Sequence, residues 1–368
     1  MVKKWIMASF VVLLAMALTL SGCGSSGSGG SSGGGGSASS GGSGGSGSGS
    51  GGSGGSGGSA PGRVLDLVFS HPFPEGDYRA QTYSYFASEV TKRTNGSVKI
   101  TVHPGAALVK DDQAYQAVST GTIDITHTSS SYVSPLVPDL TFFEVPGSYI
   151  PDIWMEIQER IKPIVQEIVD KDNVVYLFSS YEGENSISLK KGAQRITSAD
   201  LHGYKLRASG KYITEAIRLW NGQGVTIPLS DVVISMQTGV VDGVVTGWPN
   251  ANSLKLYELA DVIYLTNINI PWDITFVNGD VWNRLTDEEK SIFLEVAREA
   301  SMRSKELSDK NFEEFRKAVE EHGVELVEFS PELRREFVQK AAPLFEELKK
   351  NASPKGVELY EALMELQQ

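Results

Sequence analysis

The chain has 368 residues, 40% of them hydrophobic, with 33 Lys and Arg against 45 Asp and Glu, a formal net charge of −12. That acidic balance argues against nucleic acid or anionic lipid as a partner of the folded body. A single cysteine, Cys23, leaves no intrachain disulfide framework.

Lys3 and Lys4 precede an apolar run from Trp5 to Leu20, which reads as a secretory signal. The run is shorter than the roughly 20 residues of a spanning helix. It ends in Leu20-Ser21-Gly22-Cys23, which resembles the bacterial lipobox, where cleavage leaves a lipid-modified cysteine at the N-terminus. A cysteine followed by a glycine-serine tract has no core to enter. Residues 1–22 are therefore expected to leave as a lipoprotein signal peptide, and loss of Lys3 and Lys4 takes the formal charge to −14. From Gly24 to Ser59 every residue is Gly or Ser except Ala38. Such a tract cannot bury apolar surface, so 23–62 reads as a flexible tether with a typical span of about 30 to 36 Å.

The remainder, from Arg63, is long enough for two lobes or one large α/β domain. Val64 to Ser70 predicts a strand, Tyr78 to Arg93 a helix with apolar Tyr85, Phe86 and Val90, and Ser97 to Val102 a second strand. Lys110 to His127 then reads KDDQAYQAVSTGTIDITH: an acidic helix start, Thr120-Gly121 as a helix stop, and Asp124 opening a β-branched run. The order repeats. Tyr204 to Ala208 predicts a strand, Tyr212 to Trp220 a helix and Gly224 to Ile227 a strand. PLSDVVISMQTGVVDGVVT, Pro228 to Thr246, follows, with Thr238-Gly239 and Asp242 at the matching places. Strand, helix, strand, helix, strand in each half favours two parallel-sheet α/β lobes, with a single doubly wound sheet as the alternative. Two such lobes face each other across a cleft at the carboxyl ends of their strands. Further on, Thr286-Asp287-Glu288-Glu289 is a capping box for a helix through Phe293, Val296, Ala300 and Met302 toward Phe315. Ser330-Pro331 starts another, leading into Phe337 and Leu344.

The segments SADLHGYKLRASGKY, VTIPLSDVVISMQTGVVDGVV and LKLYELADVIYLTNINIPWDITFVNGDVWNRLTDEEK resemble the substrate-binding subunit of TRAP transporters, the tripartite ATP-independent periplasmic carriers. Order and spacing match from Asp200 to Lys290, and the N-terminal half, with NGSVKITVHPGA and STGTIDI, is compatible throughout. The resemblance implies a two-lobed periplasmic-binding-protein-like α/β fold with a cleft between the lobes, a hinge of crossing strands and a long C-terminal helix across both. The lobes expected on it are 63–185 with about 274–312, and 186–273 with about 313–368 and the C-terminal helices. It implies a lipid-anchored extracytoplasmic binding protein that delivers a small organic acid to integral-membrane transporter subunits. A ligand-binding sensor subunit of a signalling receptor is the alternative.

In the resembling family the arginine at the place of Arg207 forms a salt bridge with a ligand carboxylate. A guanidinium suits that role because its planar fork matches both carboxylate oxygens and stays charged when desolvated. Read from position alone, Arg207 is equally a strand-end arginine paired with a surface acid. The opposite wall is expected from Ser70, His71 and Tyr78 around the first strand-helix loop, and from His127, Thr128 and Tyr132 beyond Asp124. Thr246, Trp248 and Asn250 are expected on the side of the second lobe. His71 and His127 also read as structural histidines, and Trp248 as a packed core aromatic. Many family members carry a second arginine where this chain has Asn185-Ser186-Ile187, and Q-E-N-P where it has Val244 to Gly247. Sialic-acid-type recognition is therefore not carried over, and an acid with an apolar or aromatic portion is expected to suit Thr246 and Trp248. The five histidines form no H-E-x-x-H pair, and neither a G-x-S-x-G elbow nor a phosphate loop is present, so an enzyme is not expected. No cofactor is expected, and no cluster requires a metal.

Overall fold

A computed structural model describes residues 63–147, 153–269 and 271–365. Cys23 and the glycine-serine tract, which carry the anchor reading, lie outside these residues. The strands are β1 (Leu65–Ser70), β2 (Val98–His103), β3 (Ile125–Ser129), β4 (Val174–Ser180), β5 (Asn185–Lys190), β6 (Lys205–Ala208), β7 (Gln223–Thr226), β8 (Gly243–Gly247), β9 (Ala260–Leu265), β10 (Asp273–Asn278) and β11 (Glu325–Glu328). The helices are α1 (Tyr78–Arg93), α2 (Ala114–Ser119), α3 (Ser130–Val133), α4 (Trp154–Val169), α5 (Lys211–Leu219), α6 (Val232–Gln237), α7 (Trp248–Ser253), α8 (Gly279–Arg284), α9 (Asp287–Glu321), α10 (Pro331–Asn351) and α11 (Pro354–Glu365).

Two sheets form two lobes. One runs β2-β1-β3-β10-β4 and the other β11-β9-β5-β8-β6-β7. Within each, the repeated unit is parallel: β1 pairs with β2 and β3, and β6 with β7 and β8. The sequence expectation of all-parallel sheets is corrected by β10, antiparallel to β3 and β4, and by β5, antiparallel to β8 and β9. The physical reason is connectivity. The chain leaves the first sheet through β4, enters the second at β5, and returns from β9 into β10, so each sheet accepts a strand whose direction is set by the crossing. A strand arriving that way needs no helical crossover and can pair antiparallel.

The repeated Thr-Gly-x-x-Asp has the same structural task in both halves. Gly121 and Gly239 take φ of +74° and +73°, the left-handed conformation that ends α2 and α6 without a Cβ clash. Three residues later the carboxylate accepts a backbone N–H of the neighbouring strand: Asp124 from Val68 within β1 at 2.8 Å, and Asp242 from Lys205 at the start of β6 at 2.9 Å. Each aspartate thus ties the third strand of its unit to the first.

Helix α9 spans 35 residues and opens with the Thr286–Glu289 capping box in full. Its Phe293, Val296, Ala297 and Ala300 are buried on the side of the first sheet, near α1 and β4. Phe315 packs against Trp248 of the second lobe at 5.6 Å between ring centroids. A long helix lying across both lobes supports the hinge from behind while leaving the facing ends of the strands open. Ser330 caps α10 by accepting from Leu333 N–H. α10 covers α5, and α11 covers α4.

Candidate functional site

Between the sheets lies a small cavity of about 30 Å³. His127, Tyr132, Arg207, Thr246 and Asn250 line it, as do Phe73, Asp111, Ser129, Glu182, Asn185 and Asp273, which sequence reasoning did not select.

Arg207 is 1% exposed. On the short strand β6, Leu206 and Ala208 point the other way, so the alternation of the strand aims Arg207 at the cavity. Its Nε donates to Ile227 O at 2.8 Å, Nη1 to Val245 O at 3.3 Å and Nη2 to the Tyr132 hydroxyl at 2.8 Å. All three acceptors are neutral, and among the described residues no carboxylate forms an ion pair with it. Three of its five N–H groups are used, leaving one on each terminal nitrogen, the fork that grips a carboxylate. Asp111 lies beyond Tyr132. Burial pushes its carboxyl up, while Leu229 N–H, at 3.0 Å, and the charge of Arg207 pull it down.

The second buried arginine, Arg79, is bound differently. It pairs with Asp77 at 2.6 Å and with Glu182, donates to Asn250 Oδ1 at 2.8 Å, and its guanidinium lies 3.7 Å from the Phe73 ring centre. Burial opposes its charge, and Asp77 and Glu182 more than offset that, so it stays a cation. Asp273 stands next to Glu182. Burial, then the neighbouring Glu182 charge, hold its carboxyl well above the usual range. One arginine is therefore neutralised by the protein, and the other is not.

The remaining expected site residues stand behind the wall, and each departure has a local cause. Thr128 alternates with His127 and Ser129 on β3 and so faces the opposite side of the sheet. Ser70 ends β1, buried, with its carbonyl accepting from Thr126 Oγ1 at 3.0 Å. His71 packs between Phe73 and Tyr83, and burial pulls it down to about 4, so it is neutral. Tyr78 donates its hydroxyl to Tyr181 O, tying α1 to the end of β4. Trp248 turns away toward α9, its ring against Phe312 and Phe315 and its N–H donating to Glu184 at 3.1 Å. The aromatic wall is Phe73, and the expectation of an aromatic ligand portion resting on Trp248 is withdrawn. Of the two histidines, His127 lines the cavity as a neutral ring: burial, then the charge of Arg79, lower its pKa well below the usual value. Its Nδ1 meets the Tyr83 hydroxyl at 2.9 Å.

The lobes meet at the rim of the cavity through the two halves of the sequence repeat. Asp111 accepts from Leu229 N–H, and Lys110 pairs with Asp231 at 3.1 Å. Ser209 Oγ donates to Ser131 Oγ at 3.0 Å. Nearby Glu144 is fully buried, neither carboxylate oxygen has a well-formed hydrogen bond, and burial pushes it up to about 8. A folded pKa raised from 4.5 means the native state holds the extra proton. That contribution is complete below about pH 4.5 and is lost as the pH rises to about 8. Glu144→Gln is accordingly expected to raise the melting temperature more at pH 9 than at pH 5. Melting curves of both proteins at both values check this, and an equal difference at the two would contradict it.

A two-lobed α/β body with a polar cavity at the facing strand ends, beside a crossing-strand hinge, defines the class of extracytoplasmic solute-binding proteins. The chain belongs to the bacterial extracellular solute-binding protein family 7, whose model matches residues 69–351. A solute-binding protein of Albidiferax ferrireducens is 22% identical over 275 residues, 72% of this chain and 80% of that one. Two solved structures share the fold. The Bordetella pertussis extracytoplasmic solute receptor DctP7, which binds pyroglutamic acid, has a TM-score of 0.76 at 20% identity and covers 82% of this chain and 100% of its own. A TRAP periplasmic solute-binding protein of Chromohalobacter salexigens with bound D-glucuronate has a TM-score of 0.76 at 21% identity, covering 82% and 99%. No described helix is long and apolar enough to cross a membrane.

Proposed function

We propose that this protein captures a small carboxylate between its lobes, with Arg207 as the anion receptor, and delivers it to the membrane subunits of a TRAP-type secondary transporter. The observation that carries the reading is the contrast between the two buried arginines. Arg79 has its counterions, whereas Arg207 is held in position by neutral acceptors at a cavity wall, and a desolvated cation of that kind favours an anion from outside. His127, Tyr132, Thr246 and Asn250 complete the ligand-facing surface. The carboxylates and sugar acids bound by related proteins support the ligand class. Calorimetric titration with a panel of small carboxylic acids and their amides tests it: an acid should bind and its uncharged amide should not.

Residues 63–185 with about 274–312, and 186–273 with about 313–368, are proposed as the bodies that close on the ligand. Gly210 sits where this closure is tightest, since a Cβ there would lie 2.5 Å from Ser131 O across the interface. Gly210→Val is expected to hold the lobes apart and weaken binding at least tenfold. Small-angle scattering should show ligand-induced compaction in the wild type and none in Gly210→Val; equal compaction would remove the closure contact from the account.

The membrane tether is proposed from the sequence alone. Cys23→Ser should release the protein from membranes without changing ligand affinity, and persistence of the variant in salt-washed membranes would defeat the lipid-anchor reading.

A further inference from the structure

Glu144 stands at the lobe boundary, outside the cavity lining, and its carboxyl is buried with neither oxygen in a well-formed hydrogen bond. Part of its cover belongs to the other lobe. A Cβ on Gly210 would lie 2.9 Å from Glu144 Oε2 and 2.5 Å from Ser131 O, so the start of α5 seals both. The groups that face Glu144 bring no charge to it. They are Ser131 from α3, Gly210 and the buried Tyr212 from α5, and Asn269 from the crossing between β9 and β10, which donates to the Glu144 carbonyl at 3.1 Å. Among the described residues no backbone N–H of α5 bonds the carboxyl, Lys211 is exposed, and Glu347 of α10 stands beyond Tyr212. A carboxylate in that setting would be desolvated without a partner, a cost the group avoids by keeping its proton. Burial holds it up at about 8, the Ser131 hydroxyl opposing only in part. Once Gly210 leaves with its lobe, the carboxyl meets water and returns toward the ordinary value of 4.5.

Resting on the lobe-closure reading above, we propose that closing the lobes takes up one proton, held by Glu144, so that acid favours capture of the solute and alkali favours its release. Between about pH 4.5 and 8 the closed form holds a proton that the open form lacks. The ratio of closed to open protein therefore rises up to tenfold for each unit by which the pH falls in that window. Below it both forms are protonated and above it neither is, so the dependence ends at both sides.

The test needs no solute. Ser131 Oγ and Ser209 Oγ are 3.0 Å apart across the boundary, so Ser131→Cys with Ser209→Cys, in full-length protein carrying Cys23→Ser, holds the lobes closed when oxidised and frees them when reduced. NMR of carboxyl-labelled glutamate follows Glu144, whose signal is identified by its loss in Glu144→Gln. The oxidised protein should titrate near pH 8 and the reduced protein, open by small-angle scattering, near 4.5. The same titration in closed and open protein would overturn the proposal and leave lobe closure standing. A reduced protein as compact as the oxidised one at every pH would overturn the closure reading and this inference with it. Should the cross-link fail to form, scattering of the unliganded Cys23→Ser protein at pH 5 and pH 9 decides. Compaction at pH 5 that Glu144→Gln abolishes supports the proposal, and the same response in both proteins overturns it.

Discussion

Replacing Arg207 by alanine is expected to weaken ligand binding by roughly 2 to 5 kcal/mol, the usual cost of leaving one member of a desolvated charge pair alone. That is on the order of thirtyfold to several thousandfold in dissociation constant. The effect is large because the protein's overall field works against anion capture: at a formal charge of −12, attraction has to be local. Arg207→Lys should recover only part of the loss, since an ammonium keeps the charge but cannot hold Ile227 O, Val245 O and the Tyr132 hydroxyl while presenting two parallel donors. A purely structural arginine would behave differently. Its removal would lower the melting temperature of the unliganded protein and leave the affinity of the folded fraction unchanged. Because Arg207 is buried without a counterion, its truncation is expected to cost little apo stability. A near-wild-type dissociation constant in Arg207→Ala would remove it from the site.

Arg79→Ala is expected to have the opposite signature. The guanidinium is the shared counterion of Asp77 and Glu182, and all three side chains are nearly inaccessible. Its loss leaves two buried carboxylates facing each other beside Asp273, and breaking a buried pair in this way costs roughly 3 to 5 kcal/mol. For a body of this size that corresponds to a fall in melting temperature of roughly 6 to 20 °C. Arg79→Lys should not restore it, because one ammonium cannot reach Asp77 through two nitrogens, bind Glu182 and Asn250, and also lie on Phe73. Differential scanning calorimetry without ligand measures this, and an unchanged transition would show that the cluster is not a keystone of the first lobe.

The parts legible in the sequence are those written locally. α1 was legible because its apolar positions Tyr85, Phe86 and Val90 lie within one stretch, and the Thr-Gly-x-x-Asp repeat was visible because its helix-stop threonine and its strand-opening aspartate are four residues apart. Arg207 was singled out through the resemblance carried by SADLHGYKLRASGKY, since its position alone reads equally as a strand-end arginine paired with a surface acid. The antiparallel β5 and β10 were not visible, since their direction comes from chain crossings between sheets that no residue period encodes. The acidic side of the cavity was missed for a related reason. Asp111, Glu182 and Asp273 come from a helix start and from the two crossings, far apart in sequence, and Asp111 had a sufficient local explanation as an acidic helix opening. The crossings themselves were the available signal: a chain that passes between two lobes at the floor of a cleft places its polar residues there. Trp248 was misjudged because its position after β8 predicts a strand-end side chain, whereas it is the first residue of α7 and turns toward α9.

A crystal structure of the protein with the tightest-binding acid from the titrations is the most direct test of the whole account. The account predicts closed lobes, the ligand carboxylate on the Nη1 and Nη2 atoms of Arg207 at charge-assisted distances of about 2.7 to 2.9 Å, and ligand contacts from both sheets. A carboxylate bound elsewhere, with Arg207 still held only by Ile227, Val245 and Tyr132, would contradict it.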